Sequence, residues 1–403
     1  MRSRLTQDVA EEPMANNPST EKRVLIVGLG IAGMSSAIAL KRAGWNPVIV
    51  ERVRQRKPAD YYTSFDRTGR KAAEKLGVLD AIHQRTPERR TFLQVDSDGQ
   101  LVPVSRSTVK AGDPAVVVRS DIENGLWSAV EGEIEVRFST RAISIEDGQR
   151  GLLVLLENSA TGERTEERFD LLIGADGMRS TVRRRVFGPD ERYLVPFDSM
   201  VCQFDLDEPL EGIDPEATIV MSETDRALGI FPFSDRSPAV RFAYRTKNVN
   251  AQVGRPPIQI LREIFARDIH KPVVAQALDA LEWTDDYLFD SVHQVHMDSW
   301  RKGRVILLGD SAWCLTLYSG MGTSAALHGG VVLGESFERH PENLDDALAA
   351  WERRLRPFIW GNRVLAGPLH EWFVPSRPLV TSAIAAGWKV SEAVMRMRPG
   401  RKD

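Results

Sequence analysis

Apolar residues follow two rhythms along this chain, and each change of rhythm marks a new part. Residues 23–51, RVLIVGLGIAGMSSAIALKRAGWNPVIVE, run from a β-branched stretch through a glycine turn into a helical period stopped by Gly44, then a second apolar run closing at Glu51. The pattern predicts strand, helix and strand, a βαβ unit. Two later stretches repeat the first half of it. In FDLLIGADGMRSTVRRRVFG the apolar LLIGA ends in Asp176 and Gly177 before Ser180, Val182 and Arg183 open a predicted helix. In RVILLGDSAWCLTLYSGMGTSAALHGGVVLGESF a strand ends at Asp310, and Gly320 and Gly322 precede another helix. Between Tyr193 and Asp290 the rhythm turns to short alternating runs, SMVCQFDL, ATIVMS, LGIFPF and AVRFAYRT, followed by the helix-like PIQILREIFARDI and VVAQALDAL. Strands followed by helices predict a separate α+β unit. Residues 378–397 carry an amphipathic period with a basic end, which predicts a helix packed on the first unit or on a second copy rather than on a membrane.

Composition narrows the function classes. The chain has 403 residues, 42% of them apolar, enough to bury a large core. Lysine plus arginine number 53 against 56 acids, a net −3 that gives no field for nucleic acid or an anionic membrane. Two cysteines, Cys202 and Cys314, offer neither a disulfide framework nor a zinc spacing and suit a reducing, cytoplasmic setting. Both are expected to be small buried hydrophobes. Residues 1–21 are polar and lack the apolar core of a signal peptide, so they read as a disordered arm. No apolar run is long enough for a transmembrane helix. His293 and His296 lie on opposite faces of a predicted strand, which is poor metal geometry, and no metal site is expected.

The first glycine turn carries its own chemistry. Gly28 permits the tight turn, Gly30 lets backbone approach a pyrophosphate, and Gly33 lets the helix sit close to the strand, while the helix N-terminus faces the negative charge. Glu51 stands where a ribose-binding acid belongs, and an acid there favours FAD or NAD over NADP. The basic RVRQRKP that follows reads as a solvated loop, with Arg52 set apart from the rest.

Together the three turns resemble the GxGxxG, DG and GD signatures of the FAD-dependent aromatic hydroxylases, the group A flavoprotein monooxygenases of para-hydroxybenzoate hydroxylase type. VVVRSDIENGL, with Arg119, and LFDSVHQVHMDSWRKGRV extend the likeness over most of residues 22–356. The resemblance implies an α/β fold: a discontinuous Rossmann-like FAD-binding domain (22–192 and 288–356), an inserted α+β substrate domain (193–287) and a C-terminal helical segment (357–403). It implies that Gly28, Gly30, Gly33 and Glu51 hold the ADP half of FAD, and that Arg52 and Arg119 lie near the flavin and its linker. Asp310 would bond the ribityl or pyrophosphate region, and Asp176 and Gly177 would serve FAD and a passing NAD(P)H. Gly322 and Thr323 would aim N–H groups at the flavin pyrimidine.

The implied reaction is reduction of FAD by NAD(P)H, addition of O2, and delivery of oxygen from a flavin hydroperoxide to a bulky aromatic or polycyclic substrate, in a monomer or homodimer. No catalytic side chain is identified. Phe231, Phe233, Phe242 and Tyr244 are candidates for an apolar pocket, with core packing the competing reading. One departure stands out. Many relatives place His or another aromatic and then prolines after the GD motif, whereas this chain has Trp313, Cys314, Leu315, Thr316 and Leu317. Losing proline alters loop rigidity beside the flavin. An oxidase or dehydrogenase that inserts no oxygen is therefore the alternative, with a non-catalytic flavin-binding protein as a third reading.

Overall fold

The computed structural model describes residues 22–57, 60–110, 113–252 and 254–397, with side chains described as far as 387; the predicted N-terminal arm lies outside them. A six-stranded sheet forms the first unit, in the order Arg301–Lys302, Val305–Leu307, Leu171–Gly174, Arg23–Val27, Asn46–Val50 and Glu135–Arg137. All but the first of these strands run parallel. Its inner strands are buried on both faces, which is why they read as unbroken apolar runs. The three glycine turns therefore leave the C-terminal ends of three neighbouring strands, with Val27 beside Gly174 and Gly174 beside Leu307.

Helix Ile31–Arg42, from the first βαβ unit, packs along Gly322–Arg339, from the far end of the chain. Two late glycines make this possible. A Cβ on Gly330 would sit 2.6 Å from Ser35 Oγ, and one on Gly334 would sit 2.8 Å from the Ala39 Cβ. Ser35 Oγ donates to the Ala326 carbonyl at 3.2 Å. Pairing of Ser35 with Ala326 and Gly330, and of Ala39 with Gly334, means that the helices run parallel. Their N-termini lie side by side at the strand ends.

The second unit is a seven-stranded sheet in the order Tyr287–Val295, Leu194–Asp205, Ala239–Arg245, Arg226–Phe231, Ala217–Glu223, Arg89–Val95 and Leu101–Thr108. Period-two alternation divides its faces. Cys202, Phe204, Leu228, Ile230, Phe242 and Tyr244 pack beneath helices Pro257–Ile264 and Pro272–Glu282. The opposite face carries Gln203, Ala227, Gly229, Phe231, Arg241, Ala243 and Arg245 and looks toward the first unit. Phe242 and Tyr244 are thus core residues, and of the four aromatic pocket candidates only Phe231 and Phe233 reach the inter-unit face.

Two boundaries differ from those read in the sequence. Hairpin Arg89–Thr108 falls within the stretch assigned to the cofactor unit, yet it joins the second sheet by pairing parallel to Ala217–Val220. Its local pattern is that of any hairpin, and its partner strand is far away in sequence. The C-terminal helical segment begins at Leu344 rather than after Pro357: one helix runs from Leu344 to Phe373 through Pro357 and Pro368. The amphipathic 378–397 stretch is a helix, as expected, but it packs on the edge of the second sheet, where Thr381 meets Thr224.

Candidate functional site

The first glycine turn is held by steric necessity. Gly28 has φ +112°, and a Cβ there would lie 2.5 Å from the Ala175 carbonyl oxygen. A Cβ on Gly33 would lie 2.0 Å from the Gly28 carbonyl oxygen. Gly30 differs: its Cβ position meets only Arg119 Nη2, at 3.5 Å, so the turn opens toward a guanidinium. Glu51 braces the turn from the next strand, accepting from Leu29 N at 2.9 Å and Val53 N at 3.2 Å. Arg52 is exposed on the loop that follows.

Arg119 is aimed by neighbours that its own motif did not reveal. Its Nε donates to Glu123 Oε1 at 2.8 Å and its Nη1 to the Tyr61 hydroxyl at 2.5 Å. Across the crevice, burial pushes the Asp310 carboxyl above its ordinary range, opposed in part by the Arg119 charge and the Cys314 thiol. Asp310 opens the short helix Asp310–Trp313, and Gly309, φ +75°, has no room for a Cβ, which would lie 2.6 Å from the Ala32 Cβ. Gly28, Gly30, Arg119 and Asp310 therefore converge at the strand ends.

Asp176 does not join them with free lone pairs. Its carboxylate accepts from Ser180 Oγ, Thr181 N at 2.6 Å, Thr181 Oγ1 at 2.8 Å and Val182 N at 3.2 Å. It caps its own helical turn and leaves Gly177, φ +78°, beside open space. That turn carries Arg183, fully buried, whose Nη1 donates to the Ser311 carbonyl at 2.9 Å and whose Nη2 donates to Met178 O and Asp190 Oδ1, each at 2.6 Å. Arg183 is a strut between the DG and GD segments. An arginine inside a predicted helix gave no sign of this.

The loop that lacks the family prolines is fixed by other means. Trp313 is buried edge-on against Trp300 at 4.6 Å, and Trp351 closes the cluster. Cys314 is buried and free, its carbonyl accepting from Val295 N at 3.1 Å. Thr316 takes φ +70°, Ser319 Oγ donates to the Thr316 carbonyl at 3.0 Å, and Gly320 N donates to the Leu317 carbonyl at 3.0 Å. Gly322 then opens the late helix with open space at its Cβ position and a partly exposed Thr323 beside it. The first N–H groups of that helix and of Ile31–Arg42 have no intrahelical partners, so two positive helix ends meet at one crevice.

Beyond the crevice, where the second sheet meets the first unit, lies a set of side chains not picked out from the sequence. Tyr62 stacks on Phe231 with centroids 4.4 Å apart. The Arg241 guanidinium lies 5.1 Å from the Phe231 centroid and donates from Nε to Gln203 Oε1 at 2.8 Å. Burial pulls its pKa below the usual range, and the groups that oppose this are the phenols of Tyr62, Tyr318 and Tyr61; no carboxylate pairs with it among the described residues. Gln203 is 3% exposed and its amide nitrogen has no partner. Tyr318, in the proline-free loop, shares a 2.8 Å hydrogen bond with Ser199 and stacks on His370 at 4.3 Å. A half-buried cation without a carboxylate partner and an unpaired amide donor, bordered by flat rings, suit a planar ligand with acceptor oxygens.

The fit to an extended dinucleotide rests on space as well as donors. Gly30, Gly177 and Gly322 leave room where side chains would stand, and Arg119 and the paired helix ends supply positive charge. Residues 21–359 match the family model described as FAD binding domain. A "Flavin-dependent monooxygenase" from an unknown prokaryotic organism is 25% identical over 369 residues, covering 90% of this chain and 92% of the relative. Among solved structures, tetracycline destructase Tet(51) superposes with a TM-score of 0.72 at 22% identity, covering 95% of this chain and 100% of that one. Klebsiella pneumoniae HpxO complexed with FAD and uric acid gives 0.73 at 20%, covering 92% and 93%. With the family model spanning most of its length, the chain belongs to the para-hydroxybenzoate hydroxylase-like FAD-binding family and is an FAD-dependent monooxygenase.

Proposed function

We propose that this monooxygenase consumes NAD(P)H and inserts oxygen from O2 into a bulky aromatic or polycyclic small molecule that presents an anionic or enolic oxygen. The observation that carries this reading is the half-buried Arg241, without a carboxylate partner among the described residues, and the unpaired Gln203 amide, set among Tyr62, Phe231 and Tyr318. Bound FAD supplies the electron transfer and oxygen chemistry. The chain's residues bind and orient. Gly28, Gly30, Gly33 and Glu51 hold the ADP half, Arg119 and Asp310 the linker, Gly322 and Thr323 the flavin pyrimidine, and Arg52 and Gly177 the outer edge, which a nicotinamide cofactor approaches. Asp176 shapes that edge by capping its turn.

On the substrate side, Arg241 and Gln203 donate to the ligand oxygens and make its ring more electron-rich by holding the anionic form. The stacked Tyr62 and Phe231 rings form one apolar wall beside the ligand and exclude water. The tetracycline and uric acid named with the structural neighbours are consistent with a flat, oxygen-bearing substrate. Two free, buried cysteines support a reducing, cytoplasmic setting, and among the described residues no helix is long and apolar enough to cross a membrane.

The test is turnover of NADH or NADPH with a panel of polycyclic phenols and enols under isotopically labelled O2. Product carrying the label supports the proposal. Oxidised but unlabelled product, or reductant consumption that yields only peroxide across the panel, overturns it.

A further inference from the structure

A cavity of about 290 Å³ is lined by residues that belong neither to the crevice glycines and Arg119 nor to the Arg241 set. Met297, Trp300, Trp313 and Trp360 give it aromatic and apolar walls, and Arg356 and Arg363 add two guanidiniums. Three observations point to a ligand. Trp300 and Trp313, packed edge to face at 4.6 Å, give the cavity a rigid indole wall. The Arg363 guanidinium makes no hydrogen bond or ion pair among the described residues, and its charge adds to burial in lowering the pKa of the neighbouring His296. Trp360 remains 60% exposed, so one large ring of the wall is uncovered. Arg356, by contrast, is anchored to Glu352 and the Asp298 carbonyl, with its guanidinium over the Trp300 ring 4.9 Å from the centroid.

We infer that this cavity is a separate binding site for a planar aromatic carboxylate. The ring would lie among the tryptophans, against Trp360, and the carboxylate would take the free Arg363 guanidinium. The volume is near the lower end of small-molecule pockets and admits a two-ring acid but not a dinucleotide. The site has a route to the cofactor crevice. Trp313 ends the same short helix that Asp310 begins, so a ligand here touches the other end of the segment facing Arg119.

Equilibrium dialysis of the FAD-loaded enzyme with radiolabelled 2-naphthoate tests the assignment without depending on the monooxygenase reaction. The expected result is saturable binding that weakens by about tenfold or more in Arg363→Gln and in Trp360→Ala, while Arg241→Met leaves it unchanged and flavin content is the same in all proteins. Absence of saturable binding overturns the inference. So does binding that survives both cavity variants, or binding that disappears in Arg241→Met alone, which would place the acid against the second sheet.

Discussion

The two sides of the cofactor crevice are built from different material. On the strand-end side the grip is backbone and empty space: Gly28 and Gly33 are glycine because a carbonyl oxygen stands 2.5 Å and 2.0 Å from where a Cβ would be. On the sheet side the surface is side chains, Arg241, Gln203 and Phe231, each from its own strand, with Gln203 directly opposite Arg241, and held by one another. A backbone grip fails when anything is added, and a side-chain surface fails when something is removed. On the proposed reading, the first would tolerate almost no variation, whereas the second could change its ligand by a few substitutions with the cofactor still bound.

Substitution of Gly28 by Ala is the hardest blow to this contrast. Positive φ strain and the clash with Ala175 act together, and FAD affinity should fall by about a thousandfold or more, roughly 4 kcal/mol, read from flavin absorbance of the purified protein. Retention of full colour would show that the turn has slack.

Arg241→Met comes next. It should leave FAD content intact and lower kcat/KM for an anionic substrate by about a hundredfold, roughly 2.7 kcal/mol, as loss of a charge-assisted contact. If flavin binding fell instead, the two sides would not be separable.

His370, stacked on Tyr318, sharpens the sheet side through pH. Burial holds its imidazole down to about 4, with Arg245 pushing the same way and Glu371 opposing. The unfolded chain takes up that proton near its ordinary value of about 6.5, so stability is fully present above it and lost as pH falls toward 4. His370→Phe should remove this loss, gaining about 2 kcal/mol over the native protein near pH 5 in denaturant melts and almost nothing near pH 8. An equal gain at both values would mean the effect is packing alone. Smallest is Tyr318→Phe, which removes the bond to Ser199 and should cost about 1 kcal/mol in stability, with flavin content unchanged.

Legibility in the sequence follows the same division. Gly28, Gly33, Glu51 and Asp310 were legible as strand-end turn residues, because such a turn needs a particular residue type at a particular spacing, and local spacing survives in one dimension. Arg241 could not, since its partners Gln203 and Tyr62 come from other strands and only the pairing register brings them together. Phe242 and Phe231 looked equivalent as strand aromatics, yet helices cover the face that holds one and leave the face that holds the other. The Arg89–Thr108 hairpin was misplaced for the same reason, and Arg183 hid inside a helical pattern while its guanidinium linked two motifs. Asp176 was legible as a residue of consequence, but its partners are the N–H and hydroxyl groups of its own turn.

Parallel packing of the two glycine-keyed helices sets an order on biosynthesis. The ribosome delivers Ile31–Arg42 early, but its docking partner emerges only when Gly330 and Gly334 have left the exit tunnel. Until then the early helix keeps its Ser35 and Ala39 ridge uncovered, and half of the dinucleotide cradle is missing. If both helix ends hold the flavin, as proposed above, loading can be complete only once the late helix has emerged, and a message truncated upstream of that helix leaves the early helix without its packing partner.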